Sequence, residues 1–417
     1  MIRTWARMGW RNLLASRRRA AFTLAAAGLG YTAINLFAGF VVYVFAVMED
    51  GFVHAYANGH LHIIPPGAVG QDAYQPSETL FTADELAQVL DVVQRDERVL
   101  VVTPQIMLSG LASNGRHSIV FSGMGRVPED VAYMRRRART RGGRQTPFDG
   151  FPLTTGEPAG IGLGVGMVGK LETHPGGALI LISTTVDGQM NAVDAVMRHA
   201  ADAPSDYLQD LLVDMPLSLA HDLLATDGAD RLVVLLHDAR HITAARRDID
   251  RRLAEAGLAA EVRTWYERLP SYDRLQKTFG MIFAFVAVII LSMVSLSVFN
   301  TLSITVLERT REIGALRALG LKRRGVLVIF GVESATLALI GACAGLVLSS
   351  IIALAIRGAD WSWHPPVIAR PVPIEIFLTF RHIAGSFFAL TLLSVAAALL
   401  PARRAAWRCI VDALGHV

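Results

Sequence analysis

The stretch GVGMVGK, Gly164 to Lys170, has the Gly-x4-Gly-Lys spacing of a phosphate-binding loop. Such a loop cradles phosphates with backbone N–H groups and holds magnesium through the Ser or Thr hydroxyl after the lysine. Here the next residue is Leu171, which has no hydroxyl, so nucleotide chemistry is not expected at this position. His54, His60 and His62 lie close in sequence, and a strand would put His60 and His62 on one face. No carboxylate or cysteine arrangement completes a metal site around them, and the expectation is three solvated imidazoles and no metal. Neither a G-x-S-x-G elbow nor an H-E-x-x-H motif occurs, so hydrolase chemistry has no anchor and no catalytic residue is assigned.

Two arginine-rich stretches remain. RRRARTRGGR carries Arg135, Arg136, Arg137, Arg139, Arg141 and Arg144. It reads either as a solvated, mobile loop or as a contact for anionic lipid headgroups or an acidic partner. The other stretch is LERTREIGALRALGLKRRG, Leu307 to Gly325. Read as a helix, it gathers Leu307, Ile313, Leu316 and Leu319 on an apolar side, with Glu308, Arg309, Arg311, Glu312 and Arg317 projecting elsewhere. Glu308 with Arg311, and Arg309 with Glu312, are i,i+3 pairs that favour a helix by a few tenths of a kcal/mol each. Gly320 is a plausible C-terminal stop. The stretch is expected to be a helix lying along the membrane; a solvated loop would need no apolar stripe, and the stripe could instead enter a groove on another protein.

The elements around these stretches are set by hydropathy. The chain has 417 residues, 52% hydrophobic and only 18% charged, against about a quarter charged in an ordinary soluble protein. Four apolar runs are long enough to cross a bilayer as helices: about Ala20–Met48, Phe279–Val306, Val326–Ile356 and Ile383–Leu400. The first is too long for a signal-peptide core and ends without a small-x-small cleavage site, so it reads as an uncleaved anchor. Glu333 is the one charge inside a span, two turns into the third. It faces headgroups or a partner helix there, or has a functional role. Cys343 and Cys409 are far apart and imply no disulfide framework; they read as a packing thiol and a surface thiol.

Arginine sets the orientation. Arg3, Arg7, Arg11, Arg17, Arg18 and Arg19 precede the first span; Arg309, Arg311, Arg317, Lys322, Arg323 and Arg324 separate the second and third; Arg403, Arg404 and Arg408 follow the fourth. Four spans put all three segments on one side, and the positive-inside rule makes that side cytoplasmic. The organisation expected is a cytoplasmic N-terminus and first span (1–48), an outside domain (49–278), a second span (279–306), the cytoplasmic helix (307–325), a third span (326–356), a short outside segment (357–382), a fourth span (383–400) and a cytoplasmic tail (401–417). The fold class is a membrane protein of four transmembrane α-helices, one plus three, around a large α+β domain.

Within the outside domain LHIIP, HSIVFSG, ALILIST (Ala178 to Thr184) and RLVVLLH (Arg231 to His237) read as strands. TADELAQVLDVVQRDE reads as a helix opened by a capping box, Thr82 with Glu85. ARHITAARRDIDRRLAEAG reads as an amphipathic helix stopped by Gly257. In the third span Gly341 and Gly345 form a G-x-x-x-G, with Gly331 ten residues earlier. Small residues let helix backbones approach closely, either within one subunit or between two.

The run E-R-T-R-E-I-G-A-L-R-A-L-G, the closing PARRAAW followed by VDAL, and the order of one span, a large outside domain and three spans resemble the FtsX/MacB-type permeases of ABC transporters. One departure is Ile410, where the family commonly has a proline after the last arginines. GHLHIIPPG, which follows the first span, and TWYERLPSYDRL, which leads into the next, are most similar to the lipoprotein-releasing LolC/LolE branch. The resemblance implies a MacB-like periplasmic core, an inner-membrane location with both termini cytoplasmic, and no catalysis by the chain itself. A partner ABC ATPase would bind ATP and magnesium, dimerise, and receive the cytoplasmic helix in a groove. Carried over by motif, Glu308, Arg309, Glu312, Ile313, Gly314, Leu316, Arg317 and Gly320 form that contact, with Ile313 and Leu316 filling the groove and the charges fixing register. The second span would act as a lever on the outer domain. The further partners implied are a second permease, copy or paralogue, a periplasmic carrier or lipoprotein cargo and membrane lipid, with no nucleic acid. The function implied is extraction or export of a lipoprotein or other hydrophobic cargo. The alternatives are a mechanical regulator of a periplasmic cell-wall hydrolase, a MacB-like efflux component, and a membrane sensor with no ATPase.

Overall fold

A computed structural model describes residues 17–68, 80–140, 148–201, 203, 206–363 and 371–407. In chain order its elements are helix α1 (Arg17–Asp50), running into a π-turn at Gly51–Ala55; β1 (Leu61–Ile64); α2 (Ala83–Gln94); β2 (Val99–Ser113); β3 (Ser118–Arg126); α3 (Pro128–Arg136); β4 (Phe148–Gly150); β5 (Gly160–Gly164); α4 (Val165–Lys170); β6 (Ala178–Thr184); β7 (Met190–Ala201); α5 (Asp206–Gln209); β8 (Leu212–Pro216); α6 (Leu217–Leu224); β9 (Arg231–Leu236); α7 (Ile242–Glu255); β10 (Glu261–Thr264); α8 (Pro270–Glu308); α9 (Thr310–Ala318); α10 (Arg323–Ala359); the short pair β11 (Ser362–Trp363) and β12 (Val372–Pro373); and α11 (Phe380–Trp407). They divide into two compact units. One holds Met1–Tyr43, Leu275–Trp361 and Ile374–Val417; the other holds Val44–Arg274 with Ser362–Pro373.

The unit that holds Val44–Arg274 is α+β. Its sheet runs β10-β1-β9-β2-β3-β8-β5-β7-β4, and β6 joins β2 to β7, so six of the strands close a ring: β2, β3, β8, β5, β7 and β6. β2 belongs to two neighbourhoods. Val99–Gln105 pairs with β9, and Gln105–Ser113 pairs with β3. Around the first half, α2 and α7 bring Val89, Val93, Ile249 and Leu253 onto Leu61, Ile63 and Leu232–Leu236. Around the other half, Leu219, Ala220, Leu223 and Leu224 of α6 pack on Ile106, Leu108, Leu181 and Met197. The capping box opens α2 as its chemistry dictates: Glu85 N–H donates to Thr82 Oγ1 (3.3 Å) and Thr82 N–H to Glu85 Oε2 (2.9 Å).

The histidines depart from expectation. β1 lies between β10 and β9 with every residue buried, His62 among them, and His60 just before it and His54 of the π-turn are likewise buried, not solvated. His60 Nδ1 accepts the Leu236 N–H at 3.0 Å, which requires a neutral imidazole. His54 stands edge-on to it, ring centroids 5.8 Å apart. Burial, with His54 and Arg139 adding to it against Asp238, lowers His60 from 6.5 to about 3. Between those values the unfolded chain binds a proton that the folded chain does not, so stability is lost as pH falls. His62 and His199, also lowered chiefly by burial, act in the same direction. We expect the His60 contribution to drop by about 1 kcal/mol between about pH 7.5 and 5.5. Denaturant titrations of wild type and His60→Gln at the two pH values check this: the variant should show the smaller difference.

The arginine run is also only partly a solvated loop. Arg135, in the last turn of α3, has its side chain 14% exposed, whereas Arg136, Arg137 and Arg139 are exposed and Arg137 stacks on Tyr133 at 5.0 Å. Arg141 and Arg144 lie outside the described residues. GVGMVGK forms the end of β5 and the short helix α4, with Lys170 paired to Asp210 at 2.6 Å and Leu171 fully buried. Among the described residues no group of three or more His, Cys, Asp or Glu can hold a metal ion.

In the other unit, four helices among the described residues are long and apolar enough to cross a membrane: α1, α8, α10 and α11. α1 is the hub. Its most apolar window is 56% buried within the chain, against 11% for α8. Its polar side chains reach every other span: Thr23 Oγ1 lies 2.6 Å from Thr301 Oγ1 of α8, Thr32 Oγ1 donates to Gly345 O of α10 (3.0 Å), and Tyr31 OH donates to Ile383 O of α11 (2.9 Å). Such bonds hold helices together where lipid removes the hydrophobic drive between them. Gly341 and Gly345 lie against Ala27 and Gly28 of α1, within the chain; a Cβ on Gly331 would have only Val395, 3.9 Å away.

Candidate functional site

The arginine-rich stretch after α8 folds as two helical pieces with a break, not as one helix. α8 ends at Glu308; Arg309, at φ −103° and ψ 10°, breaks the helix; α9 then runs Thr310–Ala318. Thr310, buried, ties the pieces together by donating its hydroxyl to Val306 O at 2.8 Å. Arg309 Nε pairs with Glu312 at 3.1 Å, an i,i+3 bridge across the break.

The far end of α9 closes with a Schellman motif. Gly320 N–H donates to Arg317 O (3.1 Å) and Leu321 N–H to Leu316 O (3.1 Å), with Gly320 at φ +101°. Only glycine takes that conformation cheaply. Leu316 and Leu321, the apolar partners of the motif, line a cavity of about 140 Å³ together with Arg309, Ile313, Val326 and Phe330.

The structure sorts the eight motif residues. Ile313 (8% exposed) and Gly314 are buried, and Ile313 belongs to the same apolar cluster as Val306, Phe330, Ala402 and Ala406. It faces its own chain, whereas the motif resemblance has it filling a groove on a partner. Glu308, Glu312 and Leu316 are exposed, Arg309 and Arg317 half-buried, and Gly320 forms the turn. The apolar side chain most open to a partner is Leu319, at 86% exposure, and Leu316 is 41% exposed. The inward anchors are Thr310 of the E-R-T-R-E-I-G run and Ala402, Ala405 and Ala406 of PARRAAW, all buried, while Arg403 and Arg404 between them are exposed. Beside the site, the guanidiniums of Arg323 and Arg403 stack on Trp407 at 5.2 and 5.4 Å. Cys409 and Ile410 lie outside the described residues.

Glu333 is eleven residues along α10 and 4% exposed, so it faces the interior of its own chain and not headgroups. Its Oε2 has no hydrogen-bond partner among the described residues, while the neighbouring Ser334 donates to Ser394 O at 2.7 Å.

Comparison with known proteins matches residues 284–409 to the FtsX-like permease C-terminal family. The macrolide export ATP-binding/permease protein MacB of Chromobacterium violaceum is 30% identical over 209 residues, 48% of this chain and 30% of that protein. The pyoverdine export ATP-binding/permease protein PvdT of Pseudomonas syringae pv. tomato is 25% identical over 218 residues, 51% of this chain and 31% of that protein. The chain thus spans about a third of the length of the relatives it matches. A solved structure, the periplasmic region of MacB from Actinobacillus actinomycetemcomitans, aligns with a TM-score of 0.35 and 12% identity over 53% of this chain and 92% of that one. The stretch that includes most of α8 and all of α9 and α10 is thus similar to the FtsX-like permease C-terminal family, and part of the chain is similar to MacB-type ATP-binding/permease proteins.

Proposed function

We propose that the chain is the permease subunit of an ABC transporter whose ATP is hydrolysed by a separate cytoplasmic subunit, with the α+β domain on the periplasmic side of the inner membrane. The observation that carries this reading is α9: a short helix held to its own chain by Thr310 and Ile313, yet presenting Arg311, Leu316 and Leu319 outward. A helix anchored on one side and apolar on the other transmits a push without bending. The contact to the ATPase is then made by Leu319 and Leu316, with Glu308, Arg311, Glu312 and Arg317 fixing register, while Ile313 and Gly314 anchor the helix from within. An ATPase dimer offers two such grooves, so a second permease, copy or paralogue, completes the complex.

Leu319 gives the cleaner test, because Leu316 also supports the turn at Gly320. We expect the ABC ATPase of the same organism, co-expressed with the chain, to co-purify with wild type. Leu319→Asp should lower the retained ATPase at least about tenfold, the scale of one lost interface anchor, without moving the thermal midpoint of the chain. Wild-type retention by Leu319→Asp combined with Arg311→Glu defeats the reading.

The proposed cargo is a lipid-linked or hydrophobic molecule, such as a lipoprotein, taken from the outer leaflet. Macrolide and pyoverdine export, in the names of the relatives, set small exported molecules beside it. The stretches that resemble the LolC/LolE branch form β1 and the corner from β10 to α8, where Leu61 pairs with Thr264 and Trp265 N–H donates to His60 O. They build the sheet, so cargo must be read from elsewhere. Depletion separates the choices: mislocalised lipoproteins support the first, and macrolide sensitivity with correctly sorted lipoproteins overturns it in favour of the other.

A further inference from the structure

The end of α1 is unusually well tied. Its final residue, Asp50, accepts the Arg139 N–H (2.8 Å), the Thr140 N–H (2.6 Å) and the Thr140 hydroxyl (2.8 Å). From the last residue of the π-turn onward, three successive carbonyls are each taken by a side chain of the α+β domain. Arg135 Nε donates to Ala55 O (3.1 Å), Arg126 Nη1 to Tyr56 O (2.6 Å) and Gln105 Nε2 to Ala57 O (3.0 Å).

Both arginines converge on one carboxylate. Asp214 of β8 pairs with Arg126 at 2.7 Å and with Arg135 at 3.6 Å, and its side chain is 5% exposed. Burial raises the Asp214 carboxyl, but Arg126 and Arg135 outweigh it and hold the group below its ordinary value, so Asp214 is charged. The carbonyl end of a helix carries about half a negative charge, so both guanidiniums meet it favourably. The void lined by Arg126, Arg135 and Asp214 is about 20 Å³, enough for one water.

We infer that Asp214 is a positioning residue: through Arg126 and Arg135 it clamps the carbonyl end of the first membrane helix to the sheet, so that Asp50–Ala57 and β8 move as one piece. The clamp explains why a buried ionic triad stands where an apolar cluster would be equally stable. An apolar cluster would leave the carbonyls of Ala55 and Tyr56 without donors, and the helix end free to pivot. The inference stands whether or not an ATPase drives the chain.

Hydrogen–deuterium exchange of the full chain in lipid nanodiscs tests it. The amides of Tyr56, Ala57, Asn58 and Gly59 are bonded back to Gly51, His54, Phe52 and Val53, so their exchange reports on the clamped turn. Arg135→Gln leaves a balanced Arg126–Asp214 pair and removes one tie. We expect exchange at these amides to rise at least about tenfold, the scale of one lost charge-assisted hydrogen bond, with β9 still protected. Asp214→Asn should give the same local effect more strongly; if that variant does not fold, Arg135→Gln decides. Unchanged exchange at Tyr56–Gly59 in Arg135→Gln overturns the inference. So does an equal rise in β9, which would make the triad general support of the core.

Discussion

Gly345→Leu is expected to destabilise the membrane bundle by about 3 kcal/mol, the upper range for overpacking a close contact. A Cβ at Gly345 would stand 2.5 Å from Gly28 O and 3.1 Å from the Tyr31 ring. Gly28 O is backbone, inside a helix, and cannot swing aside as a side-chain tip does. The neighbouring turn leaves no slack: a Cβ on Gly341 would meet Ala27 Cβ at 2.8 Å, and one on Gly28 would meet Gly341 O at 3.3 Å. Leucine must therefore push α1 and α10 apart, and with them the hydrogen bond from Thr32 to Gly345 O. Because α1 is the hub that the other spans bond to, separation at this point also loosens its contacts to α8 and α11. Unfolding in mixed detergent micelles measures the loss. Gly331→Leu is the control, since its Cβ meets nothing nearer than 3.9 Å, and it should stay within about 0.5 kcal/mol of wild type. A Gly345→Leu chain as stable as the control would show that the two backbones are not in contact.

Glu333→Met carries the opposite sign. It is expected to raise stability by about 1–3 kcal/mol, the penalty for a buried polar atom without a partner. Glu333 is 4% exposed and its Oε2 has no partner among the described residues, and methionine matches its length with no polar atom to satisfy. A membrane interior makes the comparison steeper, because water cannot compensate. Natural chains keep such residues at sites of function. Glu333 lies one turn beyond Ile329 and Phe330, which line the cavity beneath α9, and the charge of Arg309 in that cavity wall acts on it. The expected outcome is thus a chain that unfolds at higher detergent but passes less of the α9 movement to α10. The same micelle titration reads the first part. A fall in stability would mean that the carboxyl already has a compensating partner.

The arrangement joins these effects to the proposed function. α9 is fixed to α10 and α11 by Ile313, Val326, Phe330, Ala402 and Ala406; α10 is fixed to α1 by the glycine contact. A displacement entering at Leu319 therefore reaches α1 through packed backbone and apolar side chains, with no long flexible link along the way.

Much of this is legible in the residues themselves. The four spans follow from the length of apolar runs, which is a local property and survives any tertiary arrangement. The Thr82–Glu85 capping box and the Gly320 stop are equally local, since each concerns backbone groups within one turn. What the residues alone cannot decide is which partner each face meets. β2 escapes sequence reading because it changes neighbours at Gln105, and a strand with two environments shows no single alternation. His54, His60 and His62 are polar by type, yet the tertiary structure buries all three, and the pairing of β1 with β9 and β10 is what encloses His62. The apolar stripe of α9 is plain, yet a stripe fits its own chain or another protein equally well, and it takes the packing of Val306, Phe330 and Ala406 to turn Ile313 inward. Asp214 stands 88 residues from Arg126, and both arginines lie far along the chain from Asp50, so their convergence on the end of α1 belongs to the tertiary structure alone. Local order is written in spacing and length; long-range partners are chosen only when the whole chain competes for the same buried volume and the same few unpaired charges.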